Sequence, residues 1–297
     1  MANAKMRRTL EAGGMVVAPG AYDTSTARLI QSLGFEYLYV PGNQTGLAMG
    51  IPEPFETVTL LAEVGRTVVK ACRDELPVIL DASAGFGEPV HVMHAVESFE
   101  LAGVTAIHIE DQFFPKRVSY HRGLEHVVPI DVYQQRLEYA LKGRKNKDFL
   151  IIARTDGARA TADPWLPNGG SREEALKRAN AAMELGVDAL MILGAFEMDD
   201  YRYLRSQIKD IPMCGLIKSS NMGVPDFRNL GYQIVAFQRA TIVAALTSVN
   251  ALYEHLLRQG KPPGSVKPDQ EVIEDGVVNA LMNMDEKLAV EAATKRP

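Results

Sequence analysis

Eight short apolar runs recur along the chain, separated by stretches with the periodicity of a helix. The runs are Met15–Ala18, Tyr37–Val40, Pro77–Leu80, Ala106–Ile109, Leu150–Ala153, Ala189–Leu193, Pro212–Leu216 and Ile234–Phe237. Helix-like segments lie between them, among them Ser25–Leu33, Phe55–Cys72, Val90–Ala102, Ile130–Leu141, Arg172–Leu185 and Met198–Ile208. Leu33-Gly34-Phe35, Ala102-Gly103-Val104, Leu185-Gly186-Val187 and Leu230-Gly231-Tyr232 each put glycine where a left-handed residue closes a helix before the next strand. Strands alternating with helices of this length are βαβ units, and these build a parallel sheet. Eight of them favour a closed (β/α)8 barrel over an open doubly wound sheet. No GxGxxG follows the first run to support a dinucleotide fold. A chain of 297 residues suits one such barrel, so 1–297 is expected to be a single α/β domain. Beyond the eighth run, Ala240–Gln259 reads as a long helix and Gly260-Lys261-Pro262-Pro263-Gly264 as a break. Residues 260–297 form a tail whose amphipathic part, Gln270–Ala293, covers its own barrel or packs on a neighbour.

The bulk numbers narrow the partners. A net charge of −5 without a basic block argues against nucleic acid. Cys72 and Cys214 lie far apart, which suits a reducing compartment and offers neither a zinc site nor a disulfide framework. The N-terminus lacks the apolar core of a signal peptide, and no apolar run in the sequence reaches the roughly 20 residues of a membrane span. These features set the expectation of a cytoplasmic protein with no membrane partner.

In a barrel of parallel strands, chemistry gathers at the C-terminal strand ends. Those ends hold Tyr22-Asp23, Gly42-Asn43-Gln44, Asp81-Ala82-Ser83, Glu110-Asp111, Arg154-Thr155-Asp156, Lys218 to Asn221, and Gln238-Arg239. Asp81 and Glu110 fall at corresponding positions on neighbouring strands. Oxygen ligands with few carboxylates suit Mg2+ or Mn2+, which keep waters and finish their shell with substrate oxygens. Arg154, one strand further round, has the fork that grips a carboxylate or phosphonate. The same three side chains would equally make a structural ion-pair network. Asp111 and Asp156 read as supporting or helix-capping groups. His108, alternating within the fourth run, reads as core or as support for the site. Gly42, Gly46, Gly85 and Gly87 give loops whose N–H groups approach an anion, or ordinary turns. The stretch Phe114–Val128 carries Lys116, Arg117, Tyr120, His121, Arg122 and His126, the composition of a lid bearing an acid or base, or of a solvated loop.

Taken together and in order, Ala18-Pro19-Gly20-Ala21-Tyr22-Asp23, the Asp81…Gly85-Phe86-Gly87 turn, Ile109-Glu110-Asp111-Gln112…Pro115-Lys116-Arg117 and Ile152-Ala153-Arg154-Thr155-Asp156 resemble the isocitrate lyase / phosphoenolpyruvate mutase superfamily. The likeness covers roughly residues 7–260. It implies a TIM barrel whose last helix is exchanged with a neighbouring subunit in a homodimer or homotetramer. It also implies Mg2+ and a small carboxylate substrate, an α-oxo or α-hydroxy acid. By the same resemblance Asp81 is the direct metal ligand and Glu110 a metal-associated carboxylate. Arg154 grips the substrate carboxylate, Lys116 opens the gating loop, and Tyr22, Gly42, Asn43, Gln44 and Ser83 line the oxyacid site.

Departures from the pattern bear on the substrate. The usual Asp-x-Asp turn is Asp81-Ala82-Ser83, so a hydroxyl replaces one carboxylate. The lyases' loop cysteine is missing from Lys116-Arg117-Val118-Ser119-Tyr120-His121, leaving Tyr120 or His121 to protonate a carbanion. The loop aspartate after the second strand is Glu53 here, and the lyases' glutamate after the seventh strand has no counterpart near Cys214–Lys218. The expected activity is Mg2+-dependent cleavage of a C–C bond in a small 2-hydroxy or 2-oxo dicarboxylate. Phosphonopyruvate-type mutase or hydrolase chemistry, oxaloacetate-type decarboxylation or hydrolysis, and a barrel that binds an oxyacid without turnover are the alternatives.

Overall fold

The protein, seen in a computed structural model that describes residues 2–116, 125–194, 197–217, 221–264 and 276–294, is built on one eight-stranded parallel sheet. Its strands are β1 (Val16–Ala18), β2 (Leu38–Val40), β3 (Val78–Asp81), β4 (Ala106–Glu110), β5 (Leu150–Thr155), β6 (Ala189–Ile192), β7 (Met213–Ile217) and β8 (Ile234–Phe237). The sheet order β1-β8-β7-β6-β5-β4-β3-β2 leaves β1 and β2 at the seam. Two hydrogen bonds close that seam: the Tyr39 N–H donates to the Pro19 carbonyl at 2.9 Å, and the Ala21 N–H to the Tyr39 carbonyl at 2.8 Å. Gly20 sits in this seam because nothing larger fits. A Cβ there would lie 2.0 Å from Gln44 Nε2 and 2.7 Å from the Phe237 carbonyl oxygen. The (β/α)8 barrel expected from the alternating pattern is therefore the architecture observed.

Period-two alternation divides the strand side chains between two cores. Val16, Ala18, Tyr39, Ile79, Ala106, Ile152, Met191, Cys214, Leu216, Ile234 and Ala236 fill the barrel interior, and the intervening positions face the helices. Helix α1 (Ala2–Glu11) had no counterpart among the expected elements. Its Met6 and Leu10, four residues apart on one face, plug the N-terminal mouth against the interior core. Arg7 Nη2 pins it there, 2.8 Å from Asp188 Oδ1. With that mouth sealed, the C-terminal strand ends form the open face.

Helices α2 (Thr24–Ser32), α4 (Val58–Ala71), α5 (Pro89–Leu101), α6 (Ile130–Gly143), α7 (Arg172–Met183) and α8 (Met198–Gln207) match the expected segments to within a few residues. The largest shift is at α4, expected from Phe55. Thr57 caps the helix there, its Oγ1 accepting from the Leu60 N–H at 3.2 Å, and Glu53–Phe55 form a separate 3-10 turn. Helix α3 (Gly42–Met49) occupies a stretch read as a loop, whereas α9 (Val224–Leu230) ends at a left-handed Gly231, as the Leu230-Gly231-Tyr232 pattern led one to expect. In the tail, helices Val277–Met282 and Met284–Thr294 are separated by a left-handed Asn283 at φ 53°.

Helix α10 (Ala240–Gln259) is long and apolar enough to cross a membrane by length and composition, with a mean hydropathy of 1.2, although no run in the sequence suggested a span. Its apolar residues form a stripe rather than a continuous coat. Leu246, Val249, Tyr253 and Leu257 recur at helical spacing and are exposed, while Asn250, Glu254 and Arg258 bond to one another beside them.

Candidate active site

Strand register decides which groups meet on the open face. On β4, Ala106, His108 and Glu110 point inward; on β3, Ile79 and Asp81 do so; on β5, Ile152 and Arg154. Asp81 pairs across the sheet with His108, and Glu110 with Arg154. The two carboxylates end β3 and β4, the corresponding positions expected of them, and the barrel's stagger puts Glu110 one inward step above Asp81. They are brought together by the guanidinium. Arg154 Nη1 lies 2.7 Å from Glu110 Oε2 and 3.6 Å from Asp81 Oδ2.

Arg154 was expected to offer its fork to a substrate carboxylate. One edge of that fork is already engaged: Nε donates to Asp156 Oδ2 at 2.9 Å and Nη2 to Asp156 Oδ1 at 3.3 Å. Nη1 is the part directed into the site, so an incoming carboxylate meets the end of the guanidinium. Asp156 is in turn held by Arg159 Nε at 3.0 Å, and Arg159 reaches Glu125 Oε2 at 2.8 Å. Asp111 lies behind this arrangement. It accepts from the Asp156 N–H at 2.8 Å and pairs with Arg178 Nη1 at 3.3 Å, supporting the strand end rather than capping a helix.

Lys116 is buried, and its Nζ lies 2.6 Å from Glu53 Oε1 and 3.2 Å from Glu110 Oε1. Burial alone would lower its pKa, but Asp81, Glu110 and Glu53 outweigh burial and hold it well above the ordinary lysine value. Lys116 is therefore a fixed cation and does not act as a base. Burial would raise Asp81, yet Lys116, His108 and Arg154 hold its carboxyl below the usual range. Glu110 goes the other way. Burial exceeds the pull of Arg154 and Lys116 and brings it to about 7.

The glycine-led stretch after β2 is not a loop but the first turn of α3. Its N-cap, Pro41, offers no side-chain acceptor, so the positive end of the helix faces the site unspent. Gly42 is required there: a Cβ would stand 2.9 Å from Glu56 Oε2, 3.1 Å from Glu53 Oε1 and 3.3 Å from Asp81 Oδ2. Asn43 and Gln44 are buried, with Asn43 Oδ1 and Gln44 Oε1 unpartnered. The Gln44 amide N–H2 is turned to the Gln238 carbonyl at 2.8 Å, tying α3 to the end of β8. Ser83, in the left-handed region at φ 50°, donates its N–H to Asp81 Oδ1 at 2.9 Å and so fixes that carboxylate. Tyr22 stands at the head of α2, where its N–H meets Thr26 Oγ1. Tyr120 and His121, with Arg117 and Arg122, lie outside the described residues, as does Lys218.

The sequence reading passed over Glu56 and Tyr39, while Glu53, named as the counterpart of the loop aspartate, and His108, read as core or support, both join the site. Glu53 and Glu56 come from the turn before α4, and Glu56 carries no sequence signal until Gly42 is placed against it. Tyr39 and His108 form the floor, with the phenol oxygen 2.9 Å from His108 Nε2 and His108 Nδ1 3.7 Å from Asp81 Oδ1. Burial lowers His108 to about 4, so it is neutral near pH 7. Period-two alternation inward of Glu110 gave His108 this supporting place in the sequence, while Tyr39 on β2 carried no such signal.

The donor set suits a hard cation held mostly through water. Among the described residues no three His, Cys, Asp or Glu side chains close on one point as direct ligands. Both Glu110 oxygens, Glu56 Oε1 and Asn43 Oδ1 are nevertheless buried acceptors with no hydrogen bond, though Glu110 lies within ion-pair distance of Lys116 and Arg154. Buried acceptors of this kind require a cation or ordered water.

Comparisons with known proteins agree with this geometry. Residues 6–257 match the family model described as phosphoenolpyruvate phosphomutase. The chain is 33% identical over 258 residues to 2,3-dimethylmalate lyase of Eubacterium barkeri, covering 85% of each. It is 30% identical over 259 residues to 2-methylisocitrate lyase of Aeropyrum pernix, covering 86% of this chain and 80% of that one. A phosphonopyruvate hydrolase crystallised with oxalate and Mg2+ superposes over 99% of both chains with a TM-score of 0.83 at 25% identity.

Proposed function

The chain belongs to the phosphoenolpyruvate phosphomutase / isocitrate lyase superfamily, and from that premise we propose that it is a Mg2+-dependent lyase that breaks a C–C bond in a small 2-hydroxy or 2-oxo dicarboxylate. The observation that carries this reading is the convergence of Asp81, Glu110, Arg154 and Lys116 on one buried spot at the open end of the barrel. Relatives named as lyases of dimethylmalate and methylisocitrate support the substrate class.

Asp81, Glu110 and the unpartnered acceptors around them would hold the divalent ion, which when bound supplies Lewis-acid stabilisation of an enolate-like oxygen. Nη1 of Arg154 and the α3 N-terminus orient the substrate carboxylate, and the fixed charge of Lys116 adds preorganised stabilisation of developing negative charge. The hydroxyl proton passes to the Glu110 carboxylate as the C–C bond breaks, and the electron pair passes to the carbon next to a carboxylate. Tyr120 or His121 delivers a proton to that carbon in the absence of a loop cysteine.

The first test is calorimetry with Mg2+ and oxalate, an enolate mimic. Oxalate should bind only when Mg2+ is present, and no heat with both together would sink the proposal. Product assays then separate chemistries. Pyruvate or glyoxylate released from branched 2-hydroxy dicarboxylates supports the lyase, whereas phosphate from phosphonopyruvate would replace it with C–P chemistry.

The exposed stripe of α10 supports a homo-oligomer in which a second copy covers it, the helix exchange that the resemblance implied. Light scattering should give a dimer or tetramer mass; a monomer mass at micromolar concentration would remove this part of the proposal.

A further inference from the structure

Three carboxylate oxygens from two segments of the chain crowd around Gly42. Those of Glu56, Glu53 and Asp81 all lie within 3.3 Å of the point where its Cβ would be. The three are not equally provided for. Glu53 has Lys116 at 2.6 Å. Asp81 has the Ser83 N–H at 2.9 Å and Arg154 Nη1 at 3.6 Å. Glu56 is 5% exposed, and its Oε1 runs alongside Gly46 without a hydrogen bond of good geometry.

Charge makes the same point. Glu53, Glu56, Asp81 and Glu110 face Lys116 and Arg154, and Arg154 is shared with Asp156. Lys116 is already divided between Glu53 and Glu110, leaving no cation for Glu56 alone. A carboxyl that served only the fold at such a depth would be expected to have donors on both oxygens, because an unmet buried acceptor is costly. The excess of carboxylates over cations on this side of the site is the deficit a divalent ion fills.

We infer that Glu56 belongs to the metal site: its carboxylate, whose Oε2 shares the Gly42 corner with Asp81, accepts a hydrogen bond from a water of the divalent ion beside Asp81 and helps set the ion's affinity. The inference rests on the proposed function and extends it to a residue on the turn before α4. Glu56 acts on the ion through water, so it is a positioning residue. A partner at that distance from a metal changes affinity by roughly 10–100-fold. Glu53 is committed to Lys116 and does not substitute for it.

The test is Mg2+ titration by calorimetry on the full chain without substrate, comparing wild type with Glu56→Gln and Glu56→Asp, and thermal unfolding of each in EDTA. Glu56→Gln keeps the shape and should weaken Mg2+ binding at least about 10-fold while the metal-free protein unfolds at the same temperature or higher. Glu56→Asp, whose carboxylate is withdrawn by one methylene, should fall between. Unchanged affinity in a folded Gln variant overturns the inference; if that variant does not fold, unchanged affinity in the Asp variant does so. Wild type that binds no Mg2+, alone or with oxalate, overturns the proposed function and this inference together, whereas normal wild-type binding with an indifferent Glu56 overturns the inference alone.

Discussion

Arg154→Met should cost about 3–5 kcal/mol of stability and at least about 100-fold in oxalate affinity in the presence of Mg2+. The guanidinium is buried and touches Glu110, Asp81 and Asp156 at once. Methionine fills similar volume but leaves three carboxylates without their shared cation. The loss is the penalty of burying unpaired charge, which exceeds the net worth of the original pairs. Arg154→Lys distinguishes charge from shape. The ammonium can neutralise Glu110, but it cannot hold both Asp156 oxygens while also facing the site, so KM should rise more than kcat falls. Thermal unfolding and oxalate calorimetry on the two variants check this. A Met variant as stable as wild type would show that the carboxylates are satisfied elsewhere, and unchanged oxalate affinity would take Arg154 out of the substrate site.

Why the strands could be read and parts of the open face could not follows from the kind of signal each carries. A buried parallel strand is a run of apolar residues, and glycine marks the helix end before it, so β1 to β8 were visible locally. Asp81, Glu110 and Arg154 were visible because each ends such a run. The helix α3 was hidden by Gly42 and Gly46, which lower helix propensity. Both glycines answer to tertiary neighbours instead: Gly42 to the Glu53, Glu56 and Asp81 oxygens, and Gly46 to the Ile51 carbonyl, 2.8 Å from where its Cβ would stand. The step that sets Glu110 above Asp81 was not legible, because stagger belongs to the closed barrel and leaves no mark on a single strand. The engaged fork of Arg154 was likewise invisible. Asp156 reads as a neighbour two residues away, and only the strand-end geometry turns it back onto Nε. Tyr120 and His121, proposed as proton donors, lie outside the described residues.

Without metal, the protein should lose stability as pH rises from about 5 to 9, opposite to the behaviour of an ordinary carboxylate salt bridge. Burial, reinforced by Glu53 and Asp81 against the pull of Lys116, raises Glu56 to about 9. Burial raises Glu110 to about 7 against Arg154 and Lys116. In the unfolded chain both titrate near about 4.3. Between the unfolded and folded values the native state binds more protons than the unfolded one, so unfolding free energy falls with pH. Glu110 contributes up to about pH 7 and Glu56 up to about pH 9, each with a limiting slope of about 1.4 kcal/mol per pH unit. Asp81 and Asp156, held below their ordinary values, add stability in the opposite sense, but that is lost only in acid. His108, lowered to about 4 by burial, opposes the two glutamates up to its unfolded value of about 6.5, so urea unfolding in EDTA should show a net drop of about 5 kcal/mol between pH 5 and pH 8. Glu56→Gln should flatten the limb above pH 7 and, below about pH 6.5, leave the Glu110 loss balanced by the opposite titration of His108. Saturating Mg2+ should flatten both glutamate limbs, because the cation takes over the neutralisation that protons provide. A metal-free profile that is level, or rises, from pH 5 to pH 9 would mean these carboxyls ionise freely and that the acceptors around Gly42 are already matched by donors.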